Sequence, residues 1–124
     1  MTIDASRFVY AIRQTESGGN PLAIGDDGRA WTSIQCHPPW LWQWASALNV
    51  PPRLGESWDA WAIRVLWAFA WHHRAWDPVA LAMYFHVGHA CQPSDLDWSD
   101  DYAARFTRNW ASYPDAKNQN GDPA

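Results

Sequence analysis

Apolar side chains recur at helical spacing along most of the chain, and in one stretch the pattern gives way to short segments around a turn. Ala5, Phe8 and Ile12 fall three to four residues apart behind Asp4, whose carboxylate can accept from the open N–H groups of a helix start. A first helix is therefore predicted to about residue 17, ended by Gly18-Gly19, with Glu16 on the same stripe. In residues 22–36 the turn signal Asp27-Gly28 separates two short segments, the second holding Trp31-Thr32-Ser33-Ile34, which predicts a small β-hairpin lobe.

Beyond the lobe the helical period returns. Pro38-Pro39 can open a second helix with Trp40, Leu41, Trp44, Ala45 and Leu48 on its apolar face, stopped by Asn49-Val50-Pro51-Pro52. Ser57 can cap a third helix over 58–73, apolar on nearly all sides and so expected to be the buried spine. His72 and His73 near its carboxyl end should interact with that end. Asp77-Pro78 has the form of a cap followed by proline, so a fourth helix is expected over 79 to about 86, ending near Gly88. Tyr102, Phe106, Trp110 and Tyr113 mark a last amphipathic helix. The polar residues 115–124 are expected to be a disordered tail. The pattern reads as α+β, mainly α, with one domain over 1–114.

Composition narrows the function classes. A chain of 124 residues, 48% hydrophobic, suits one domain with a real core rather than two. Net charge is -4 and no basic run occurs, which argues against a nucleic-acid partner. The start lacks the basic and apolar regions of a secretory leader, and no window reaches the roughly 20 apolar residues of a membrane span. Synthesis in the cytoplasm, no membrane insertion and a monomer are expected. In that setting Cys36 and Cys91 should be reduced and partly buried rather than bonded. Among eleven Trp, most, about seven or eight, are expected in the core or packed just behind it, leaving a few whose flat faces can stack on sugars.

Glu16 is the first candidate for chemistry. A carboxylate on an apolar stripe at a helix end favours its neutral form, which raises its pKa toward the range a general acid needs. From Glu16-Ser17 the chain continues with Asn20-Pro21, Ala23, Gly28, Ala30 and Gln35, and this segment resembles goose-type lysozymes and lytic transglycosylases. In those families a Glu-Ser at a helix end is followed by Asn-Pro, Ala, a Gly-containing hairpin and a Gln. Residues 81–88 resemble, more loosely, the Ala-Tyr-Asn-Ala-Gly segment that lines the transglycosylase cleft, with Phe85 or His86 where Asn is usual. Thr32 and Ser33 stand where Gly-Leu is preferred, and His37 stands where goose-type enzymes can carry a second acid. The Glu16, Asp26, Thr32 spacing is also similar to the acid, carboxylate and threonine of phage-type lysozymes.

The resemblance implies a lysozyme-like fold and cleavage of the β-1,4 bond between N-acetylmuramic acid and N-acetylglucosamine in bacterial peptidoglycan. Glu16 would be the general acid, Asp26 the base or water-positioning carboxylate, and Thr32 a holder of the water. Trp31, Gln35, Tyr84 and His86 would contact the glycan. Were Asp26 too distant, the substrate's acetamido group would assist and the product would be an anhydro sugar. A lysozyme-like domain that only binds glycan is the reading from another class. No cofactor is expected. His37, His86, His89, Cys36 and Cys91 are metal-ligating residue types, but their spacing matches no zinc pattern. Such an enzyme without a leader would reach the wall through phage-mediated release or as part of a virion.

Overall fold

The structure, a computed structural model, describes residues 2–87 and 101–114; the side chain of Asp26 lies outside the described set. His89, Cys91 and the tail 115–124, all subjects of sequence expectations, lie outside it too. The described chain is mainly helical, with α1 (Ala5–Ser17), α2 (Pro38–Ala47), α3 (Trp58–His72), α4 (Pro78–Val87) and α5 (Asp101–Ala111), and it carries a two-stranded antiparallel hairpin of β1 (Ile24–Gly25) and β2 (Ala30–Trp31).

Local chemistry accounts for the boundaries. Asp4 caps α1 by accepting from the N–H groups of Ser6 and Arg7, and Gly18 ends it at φ 69°. Ser57 caps α3 through the Ala60 N–H. Arg64 of α3 forks onto both oxygens of Glu56, which lies just before that helix, and holds the carboxyl down to about 2, while Arg53 N–H also donates to it. His73, at the end of α3, contacts the Phe69 carbonyl at 2.7 Å, the end-of-helix interaction its position predicts.

In the hairpin, Ile24 pairs with Trp31 and Gly25 with Ala30. A 3-10 turn, Asp26–Gly28, joins the strands, with Asp27 and Gly28 both at positive φ. Past β2, a turn with positive φ at Thr32 and Gln35 brings Trp31 back against Cys36 in an isolated bridge.

The core is shared. α1 packs on α5 and α3, α2 packs on α3, and α4 packs on α5. Phe8, Ile12, Val65, Leu66, Phe69, Leu81 and Phe106 have no exposed surface. Two expectations need correction. α3 is not buried all round, since Trp58, Trp67 and Trp71 are exposed, and α1 is the helix flanked by both α3 and α5. Nor do most of the described tryptophans lie in the core or pack on it: of ten, Trp40 and Trp61 are buried, Trp44, Trp76 and Trp110 are half-buried against the core, and Trp31, Trp42, Trp58, Trp67 and Trp71 are exposed. An indole can cover apolar surface with one face and meet water with the other, so Trp sits at core margins where Leu would not. α5 stops at Ala111, and Tyr113 beyond it still packs edge-on to Tyr10.

Candidate functional site

The helical period that buries Phe8 and Ile12 carries Glu16 to the last turn of α1, where its side chain is 15% exposed. It faces a cleft of about 510 Å³ bounded by the hairpin, the segment leading into α2, and the ends of α4 and α5. Tyr102, buried on α5, donates its hydroxyl to Glu16 Oε2 at 2.8 Å. His86 of α4 brings Nδ1 to 4.0 Å from the same oxygen and lays its ring on Tyr102, with centroids 3.9 Å apart and planes 13° apart. Arg105 also lines the cleft, donating to the Thr15 carbonyl and to Asp101. Trp40 and Phe85, packed edge to face at 4.9 Å, form an apolar wall.

Ser17 closes the loop that follows the acid. Its hydroxyl donates to the Ser33 carbonyl at 2.7 Å and accepts from the N–H groups of Gly19 and Asn20. Ser33, fully buried, also accepts from Arg13 Nε through its hydroxyl, and its N–H donates to Asp59 of α3. The Glu-Ser-Gly-Gly-Asn run is thus a clamp that fixes the hairpin lobe to the helical body beside Glu16.

Of the residues predicted for the site, Glu16, Gln35 and His86 line this cleft. Gln35 serves the hairpin: its Nε2 donates to the carbonyls of Ala23 and Thr32, both at 2.9 Å. Three others lie elsewhere. Ala30 faces the cleft, so strand alternation turns Trp31 to the opposite side. There it lines a second, apolar groove of about 250 Å³ with Thr32, Cys36, Pro38, Leu41 and Trp58. Trp31 Nε1 donates to the Gly28 carbonyl, and Thr32 is buried, its hydroxyl bonded to the Cys36 thiol and the Ile34 N–H. Thr32 is therefore not brought to the acid. Tyr84 is two residues from His86, about 200° round the helix, and packs among Trp44, Phe69, His73 and Trp76 instead of lining the cleft. Asp26 follows Gly25, whose backbone borders the cleft, but its side chain lies outside the described set.

Sequence reading missed Tyr102, Arg105 and Trp40 at the site, taking Tyr102 and Trp40 for core. The available signal was the Tyr102 hydroxyl, which a buried tyrosine must place on a partner. Cys36 separates the cleft from the apolar groove, lining both; it is a free thiol, and burial pushes it up to about 12. Among the described residues no three His, Cys, Asp or Glu converge to hold a metal ion, and no helix is long and apolar enough to cross a membrane. No protein-family model matches this chain, and neither does any curated protein or solved structure that was compared with it.

Proposed function

We propose that the protein is a lysozyme-like enzyme that cuts the glycan strands of peptidoglycan, with Glu16 as the general acid. The observation that carries this reading is a carboxyl group at a helix end, 15% exposed, in a cleft between a hairpin lobe and a helical body with a tyrosine hydroxyl 2.8 Å from one of its oxygens. Tyr102 holds Oε2, and the Glu16 carboxyl gives its proton to the leaving glycosidic oxygen as the C–O bond breaks. Trp40 and Phe85 offer an apolar wall for a sugar face, and Arg105 offers donors to polar substituents. In the hydrolytic form of the reaction Asp26 activates the water.

A second reading, the lytic transglycosylase, draws on one particular observation. Among the described side chains, Glu16 is the single carboxylate lining the cleft. With one carboxylate the substrate supplies its own help. The acetamido oxygen supports the developing cation, the C6 hydroxyl closes onto C1, and Glu16 takes back the hydroxyl proton, leaving an anhydro end.

Mass spectrometry of fragments released from purified peptidoglycan by the wild type and by Glu16→Gln tests both readings. Reducing ends lost in the variant support hydrolysis, and anhydro ends lost in the variant support transglycosylation. Cleavage that survives in Glu16→Gln removes Glu16 from the mechanism. No release by either protein moves the assignment to a glycan-binding or structural domain.

A further inference from the structure

Two ionisable side chains, Glu16 and His86, meet in the cleft, and His86 has no part in the chemistry above. His86 Nδ1 lies 4.0 Å from Glu16 Oε2, the oxygen that also accepts from Tyr102. Its ring plane is fixed by the stack on Tyr102, so the approach to the carboxylate is built into the packing of α4 on α5. Resting on the reading of Glu16 as the acid, we propose that His86 and Glu16 titrate as one unit, and that His86 is a positioning residue that sets the upper pH limit of cleavage.

An imidazolium 4 Å from a carboxylate in a partly enclosed cleft favours the charged form of both. The proton steps then belong to the pair rather than to either residue. With one proton, the pair rests as imidazolium and carboxylate, and Glu16 has nothing to give the leaving oxygen. With two, His86 stays cationic and Glu16 is a competent acid. Cleavage should therefore fail at a lower pH than it would with an uncharged residue at position 86.

The other described groups facing the pair are few. Arg105 of α5 keeps a constant charge, with its guanidinium 5.6 Å from the Tyr102 ring and bonded to Asp101. The Cys36 thiol is neutral throughout, and Tyr102 is engaged as the donor to Glu16. His37, at the start of α2, lines the same cleft.

NMR titration of the His86 imidazole and the Glu16 carboxyl carbon in the wild type, Glu16→Gln and His86→Asn, together with pH profiles of kcat/KM on peptidoglycan, tests the proposal. The His86 pKa should fall in Glu16→Gln. The Glu16 pKa, and the pH at which kcat/KM declines, should rise by about one unit in His86→Asn. Titrations that do not move, or a decline that stays in place while cleavage persists, overturn the proposal. An equal shift in His37→Asn overturns its assignment to His86. Shifted titrations with no cleavage at any pH uphold the coupled pair and overturn the proposed function, so the two failures are distinct.

Discussion

At Gly25 an absent side chain shapes the rim of the cleft. A Cβ there would lie 2.5 Å from Gln35 Oε1, and Gln35 has little room to yield because Nε2 is tied to two hairpin carbonyls. Gly25→Ala should therefore cost about 1–3 kcal/mol by overpacking, read from chemical denaturation. An unchanged midpoint would mean that Gln35 swings out at no cost. Residue-level reading of the sequence succeeded where a single element carried the signal. Glu16 was legible because Phe8, Ile12 and Glu16 share one helical stripe. Tyr102 was not, because its partner lies 86 positions away in the chain, and no periodicity reports a contact of that range.

Among the elements, caps and prolines marked the helix starts well, since Asp4, Ser57 and Pro38 act through neighbouring backbone groups alone. What the pattern misjudged was the depth of α3. Its apolar composition implied burial all round, but three indoles face water, and hydrophobicity by itself does not separate a buried ring from one that roofs a core. The end of α3 also carries a pH dependence. Burial pulls the His73 pKa below its ordinary value of 6.5. The folded state thus prefers neutral His73, and its contribution to stability is complete above pH 6.5 and declines as pH falls below it, because the unfolded chain then binds the extra proton. The melting temperature of the wild type should consequently drop more between about pH 7.5 and 5.5 than that of His73→Phe, which keeps a ring but has no proton to bind. Parallel losses in both proteins would assign the effect to other groups.

Over the whole molecule, lobe and body are joined by polar bonds centred on Ser17 and Ser33 rather than by a deep apolar interface. The hairpin contributes few core residues, Ala30 and Ile34 among them. The union instead depends on the Ser17 hydroxyl, the Arg13 guanidinium and the Asp59 carboxylate. Ser17→Ala removes the donor to the Ser33 carbonyl and the acceptor of the Asn20 N–H, while the Gly19 N–H keeps the Arg13 carbonyl, so it should cost about 1–2 kcal/mol. The loss should fall mainly on the lobe, with faster hydrogen exchange over 24–36 and protection in the middle of α3 nearly unchanged. Uniform loosening of both regions would show that lobe and body open together. This clamp was only half visible in the sequence. Glu-Ser-Gly-Gly stood out as a segment, whereas the partners of Ser17 and Ser33 required the folded geometry.

The same histidine that ends α3 gives the molecule an optical property. His73 lies edge-on between two indoles, 5.4 Å from the Trp44 ring and 5.3 Å from that of Trp76. A cationic imidazole quenches the emission of an indole it touches, so acidification should dim the fluorescence along the titration curve of His73. The dimming should be absent in His73→Phe, leaving an intrinsic signal that reports the protonation of one half-buried side chain without a label.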